Sequence, residues 1–262
     1  MSDIFSVKLQ EHIPYVYSLC YKITTDGEIS QDIAQETLLK AWEKQSQLKD
    51  IEKLKPWLRK IALNIFLNNK RNEAVKILSA EELSEIEKDG YRFEFISPAP
   101  SPEEEIIADE NIKAIRNGCF LAMARKLTLE QRIVFSLAEM FEISLEEISD
   151  IMQISIPAVK GLLFRARKNI FNFFSEKCQW IDNSAPCKCS AWIDFAGKKE
   201  NNRTELSDRK ILKNFPYNPE EKEEKEEKEE HRFKIISIYR NIPDTYPPDS
   251  WYEKITDLLK KF

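Results

Sequence analysis

Apolar residues recur three and four positions apart along most of the chain, and no long alternating β-branched run interrupts them. That pattern predicts an all-α protein. Residues 3–28 read as a first helix with Ile13, Val16, Tyr17 and Cys20 inward, ending near Thr25-Asp26-Gly27. Ser30 is placed to cap a second helix. On that helix Ile33, Thr37, Leu38, Ala41 and Trp42 share one face, and Asp32, Gln35, Glu36, Leu39 and Lys40 share the other. By periodicity alone this is an amphipathic helix with a solvated polar side. A polar loop over 45–56 follows, and Pro56 is suited to open a third helix. There Trp57, Leu58, Ile61, Ala62, Ile65 and Phe66 form the apolar set, and Arg59, Lys60, Asn64, Asn68, Lys70 and Arg71 the polar and basic set.

The second half repeats the pattern. Residues 113–143 supply two supporting helices with Leu127, Ile133, Val134 and Leu137 as core, Gly118 being a mild anomaly within them. Ser144 with Glu147 makes a capping box, and Ile143 with Ile148 is placed as a hydrophobic staple. Leu145, Ile148, Ile151 and Met152 then mark a short helix, broken at Gln153-Ile154-Ser155. Ser155 can cap the next helix, with Pro157 in its first turn. Val159, Leu163, Ala166 and Ile170 make the inward stripe of that helix, and Lys160, Arg165, Arg167 and Lys168 supply cations. Two short helices of which the second is basic fit a helix-turn-helix reading a major groove. A plain helical hairpin with a solvated basic face has the same spacing.

Between the halves, residues 76–112 read as a linker. ISPAPSPEEE holds three prolines in five residues, and residues 80–112 carry eleven acids against Lys88 and Arg92. Such composition disfavours packing. After Phe174 the pattern changes again. CQWIDNSAPCKCSAWIDFAGKK contains an echo, Cys178-Gln-Trp-Ile-Asp and Cys189-Ser-Ala-Trp-Ile-Asp. Residues 219–230, PEEKEEKEEKEE, read as a charged spacer, and Trp251, Ile255, Leu258 and Leu259 would line one face of a terminal helix able to dock.

Charge sharpens the picture. The net charge of −5 and pI near 5.4 argue at first against nucleic acid, but the charge is segregated. Residues 53–72 carry six cations and no acid, and 156–170 carry no acid. Local fields matter more than the total. Cations interleaved with Trp57 suit single-stranded DNA, although a lone Trp is more often core. Cys20 and Cys119, set singly among apolar residues, read as core thiols. Cys178, Cys187 and Cys189 could bind Zn or Cu(I) through soft thiolates, act as a redox switch, or sit in a structural turn. A closed tetrahedral site needs a fourth ligand, for which His231 or a second chain is on offer. No signal sequence or membrane-length apolar run is seen, which places the protein in the cytoplasm with no membrane partner. No nucleophile–base pair and no phosphate-cradling glycine loop are present, so no catalytic site and no required cofactor are expected.

Two strings resemble one family. DIAQETLLKAW, with PWLRKIALN and a following KR, and then LTLEQRIVFSL…SLEEISDIMQISIPAVKGLLFRARKNI, look like the two conserved domains of extracytoplasmic-function (ECF) sigma factors, in the right order. The resemblance covers residues 8–72 and 113–172. It implies two small helical domains joined by an acidic linker, the second a helix-turn-helix, plus a C-terminal extension: 1–75 as region 2, 76–112 as linker, 113–175 as region 4 and 176–262 as extension. It further implies polymerase contact through Asp32, Gln35, Glu36 and Leu39. Promoter contact falls to Trp57, Arg59, Lys60, Asn64, Lys70 and Arg71 for melting. Upstream reading falls to Pro157, Ala158, Lys160, Gly161, Phe164, Arg165, Arg167 and Lys168. The loop Gln45–Lys55 would capture a flipped base, and the acidic linker would thread channels built for nucleic acid. The implied partners are core RNA polymerase, promoter DNA and an anti-sigma factor. Some members share a PC-x-C tail, and a subgroup with richer cysteine tails senses metals. The rival reading is a stand-alone helix-turn-helix regulator, which gives no reason to keep the Asp32–Trp42 string.

Overall fold

The structure is a computed structural model that describes residues 2–69, 102–182, 185 and 225–260; among these every regular element is helical. The elements are α1 (Ser2–Glu11), α2 (Ile13–Thr24), α3 (Gly27–Glu43), α4 (Leu54–Asn69), α5 (Pro102–Ala124), α6 (Leu129–Phe135), α7 (Leu145–Met152), α8 (Ile156–Lys177), α9 (Lys225–Arg240) and α10 (Asp249–Lys260). They fall into two compact units. One draws its described residues from Met1–Lys76, Leu129–Leu163 and Ile242–Phe262, the other from Ile77–Thr128 and Phe164–Asn241.

The first unit is built on the α2–α3 hairpin and α4. Where one helix was expected over 3–28 there are two, broken at His12. Pro14 stands in the first turn of α2; it lacks an amide hydrogen, and its ring clashes with the preceding turn of any continuous helix. Thr25 takes a left-handed φ of 55° and closes α2. Asp26, not Ser30, caps α3, its Oδ1 accepting from the amide of Ile29 at 3.0 Å. Ser30 instead lies buried inside α3, 2.6 Å from the Thr24 hydroxyl. Helix α4 begins two residues before Pro56, where the first amides need no helical partner and a proline costs nothing. Leu9, Ile13, Leu19, Leu38, Leu58, Leu63 and Phe66 are sealed from solvent, each such side chain contributing about 1.5–3 kcal/mol. The Cys20 thiol is buried with them, and burial pushes its pKa up.

Helix α6 continues into a π-type turn over Ser136–Met140, with the amide of Phe141 donating to the Ser136 carbonyl at 3.2 Å. This stretch packs on α2: Arg132 Nη1 donates to the Ile23 carbonyl and Ser136 Oγ to the Lys22 carbonyl, each at 3.2 Å. Ser144 caps α7 by accepting from the amide of Glu147 at 3.2 Å, the serine half of the expected capping box, while the Glu147 carboxylate pairs with Arg59.

In the second unit α5, the later turns of α8, and α9 share an aromatic core. Phe120 and Phe174 stack with centroids 3.9 Å apart, and Tyr239 meets Phe120 edge-on at 5.2 Å. The Tyr239 hydroxyl donates to the Phe120 carbonyl at 2.8 Å. Two expected coils are shortened here. Helix α5 starts at Pro102, eleven residues inside the expected linker, because a proline and then three glutamates suit a helix N-terminus. Helix α9 likewise takes up residues 225–230 of the charged spacer, where glutamates and lysines three to four apart can pair. Cys119 is half-buried rather than core.

Candidate nucleic-acid interface

Helix α3 separates its faces as the pattern requires. Ile33, Ala34, Thr37, Leu38 and Ala41 are buried. Asp32 is exposed, and Gln35, Glu36 and Leu39 are half-buried. Glu36 pairs with Lys40 at 2.5 Å, leaving Asp32 as the unshielded acid at the start of that face.

On α4, Lys60, Asn64 and Asn68 are exposed beside the buried Leu58, Ala62, Ile65 and Phe66. Trp57 is half-buried, its ring edge-on to Phe5 with centroids 6.5 Å apart. Leu63 is also buried, a core position that the apolar pattern passed over. Lys70 and Arg71 lie outside the described residues. Arg59 behaves differently from its cationic neighbours. It is 6% exposed, and its Nη2 donates to Glu147 Oε1 of α7 at 2.6 Å. Nη1 lies 3.4 Å from the Tyr15 hydroxyl. Burial raises the Tyr15 phenol to about 12, against the opposing pull of the Arg59 charge. Lys55 also lies over Tyr15, its Nζ 4.4 Å from the ring centroid. The loop before α4 holds two single turns, Gln45–Gln47 and Ile51–Lys53, and Asp50 caps the second by accepting from the amide of Glu52.

The α7–α8 turn is tight. Gln153 adopts φ 54° and its side-chain amide donates to the Asp150 carbonyl at 2.5 Å. A polar side chain thus holds a left-handed position that glycine fills at least strain. Ser155 Oγ accepts from the amide of Ala158 at 3.4 Å. Helix α8 is about 33 Å long at 1.5 Å per residue, and Val159, Leu163, Ala166 and Ile170 make its buried stripe. Pro157, Ala158, Lys160, Phe164, Arg165, Arg167 and Lys168 are exposed, with Gly161 half-buried among them. Phe164 stands out, since 68% of it faces solvent in a cationic row. An exposed aromatic there is equipped to meet a thymine methyl. Four cations on phosphate give a salt slope of only about −3 to −4. Such a charge set alone would give only a weak hold on DNA. Replacing Lys160 or Arg165 by Ala should weaken upstream-DNA binding by the assembled complex and lower the salt slope by about 1 for each lost phosphate contact. A salt titration of binding reads both effects.

Of the tail cysteines, Cys178 is buried just past α8, while Cys187 and Cys189 lie outside the described residues. His231 is buried on α9. Among the described residues, no three His, Cys, Asp or Glu side chains gather into a metal-holding group, and no helix is long and apolar enough to cross a membrane.

Residues 9–75 match the family described as Sigma-70 region 2, and residues 117–170 match Sigma-70, region 4. The ECF RNA polymerase sigma factor SigG of Mycobacterium tuberculosis is 26% identical over 176 residues, covering 63% of this chain and 47% of SigG. In Bacillus subtilis, the ECF sigma factor SigW is 26% identical over 166 residues, covering 63% of this chain and 86% of SigW. SigM of the same organism is 27% identical over 161 residues, covering 62% of this chain and 89% of SigM. The chain spans less than half the length of SigG but most of SigW and SigM. Segments similar to sigma-70 region 2 and region 4 therefore follow one another in that order along the chain.

Proposed function

We propose, for a chain with both domains, that it is a bacterial RNA polymerase sigma factor acting in the cytoplasm. It binds core polymerase, recognises promoter DNA and starts transcription. In this reading α3 docks on polymerase through Asp32, Gln35, Glu36 and Leu39. Helix α4 and its preceding loop hold melted DNA, and α8 reads the upstream element. The observation that carries it is the presence of both domains in one chain, with α3 and α8 each keeping a polar face outside its own core. Weak binding by α8 alone fits the same reading, because polymerase would hold both modules on one promoter and turn two weak contacts into a tight one. Co-purification with core RNA polymerase, followed by transcription from a promoter library, is the test. Duplex binding without polymerase association would favour a stand-alone regulator.

The extension adds a regulatory reading, in which Cys178, Cys187 and Cys189 form its trigger. Three thiols within twelve residues are a soft donor set for Zn or Cu(I), and Cys178 is already ordered against the end of α8. Changing all three to Ser should abolish any response of transcription to Zn, Cu or oxidant and remove bound metal from the native protein by mass. Identical output and metal content in wild type and variant would leave a structural tail.

A further inference from the structure

Lys22 is an anomaly on α2. It lies in the otherwise apolar turn before Thr25, and 3% of its side chain is exposed. A buried ammonium requires partners, and the structure supplies them from two distant parts of the chain. Nζ reaches Asp244 Oδ1 at 2.8 Å and the Ile242 carbonyl at 3.2 Å, both in the segment before α10. It also lies 5.0 Å from the ring centroid of Phe141, just after the π-type turn. Ser18 tightens the first group: its Oγ donates to Asp244 and accepts from the amide of Thr245 at 3.2 Å. Beyond Asp244, Trp251 meets Tyr17 with centroids 5.7 Å apart, and Trp251, Ile255 and Leu259 are buried as α10 packs on α1 and α3.

The second group leads to Arg59. Phe141 stands edge-on to Tyr15 at 6.1 Å, Tyr15 touches Arg59, and Arg59 is paired with Glu147. Asp244 neutralises the ammonium on which Phe141 rests, so losing it leaves a charge that must rehydrate. Water drawn to that ammonium would compete with the Phe141 ring, whose centroid lies 5.0 Å from Nζ, and loosen the hold of the Phe141 stretch on α2. One run of contacts thus links the C-terminal segment to the pairing of α4 with α7.

We propose that residues 242–260 are an intramolecular latch, which keeps Arg59 paired with Glu147 and so withholds α4 from DNA until core polymerase displaces the segment. This rests on the sigma-factor reading for its partner, though not for its internal coupling.

The test uses the full chain with Asp244→Asn, Lys22→Met and the double variant. Amide hydrogen exchange over α4, α7 and α10 is followed in the free protein, and affinity for core RNA polymerase is measured alongside. Asp244→Asn should speed exchange in all three helices and tighten polymerase binding, each by about five- to tenfold for one partly exposed charge pair. Met at position 22 fills the volume without a charge, so in that background Asp244→Asn should add nothing. Unchanged exchange in α4 and α7, or additive effects of the two substitutions, overturns the latch. Coupled exchange with no polymerase binding by any form would keep the latch and sink the proposed function instead. Polymerase binding that is equal for wild type and Asp244→Asn, with α10 still protected in the complex, would show that polymerase does not displace it.

Discussion

Reversing charge at Asp32 and Glu36 together, both to Lys, should abolish co-purification with core RNA polymerase while leaving the helix content intact. Both residues lie on the polar side of α3, and the side chains that hold α3 to its neighbours, Ile33, Ala34, Thr37, Leu38 and Ala41, are untouched. Lys is as good a helix former as Glu. The one local cost is that Lys40 meets a like charge in place of its present ion pair with Glu36, a few tenths of a kcal/mol for an i, i+4 pair. At an interface the same reversal replaces attraction by like-charge contact, which costs several kcal/mol. That is about 100-fold or more in affinity. Circular dichroism controls for folding, and a pull-down reads the loss. Retained association would show that this face is not the docking surface.

Much of the architecture was legible because helical burial is periodic. Val159, Leu163, Ala166 and Ile170 were readable as the inner stripe of α8 and are all buried. The Ser144 cap was readable for a similar reason, since its hydrogen bond spans three residues and depends on nothing remote. Where two local rules competed, sequence could not choose. Asp26 and Ser30 are both good caps, and Asp26 prevails because Thr25 turns left-handed and Ser30 finds the Thr24 hydroxyl inside the core. At Pro102 composition suggested a linker, yet the same residues are favourable as the opening of a helix.

Long-range polar pairs were not legible at all. Arg59 reads in sequence as one more cation on a basic helix, and its partner Glu147 stands 88 residues away. Lys22 did carry a signal, as the one cation in the apolar run IPYVYSLCYKIT. Such a residue announces a buried charge in need of a counter-ion. Its counter-ion, however, lies 222 residues downstream, where no periodicity reaches. Beside their buried apolar residues, α6, α7 and the stretch between them meet α2 and α4 through polar contacts and an aromatic edge, which no binary pattern encodes.

Phe174→Ala should cost the second unit about 3–5 kcal/mol, the usual penalty for truncating a buried Phe. Phe174 is sealed from solvent, stacks on Phe120 at 3.9 Å and faces Tyr239 at 6.5 Å. Three helices distant in sequence meet at this point, so no single neighbour can move in to fill the space. The aromatic geometry adds its own share, about 0.5–1.5 kcal/mol per ring pair. The Tyr239 hydroxyl would also be affected. It is bonded to the Phe120 carbonyl at 2.8 Å, and burial holds its pKa well above the usual phenol value. A void beside it would admit water, and that pKa should fall back toward normal. For a chain of this size the loss corresponds to a melting shift of roughly 10 °C. Phe174→Leu, which keeps most of the volume, should recover more than half of it. Thermal unfolding followed by tyrosine absorbance reads both changes. A shift under about 2 °C for the Ala variant would mean that α9 is not seated on α5 and α8 through this cluster.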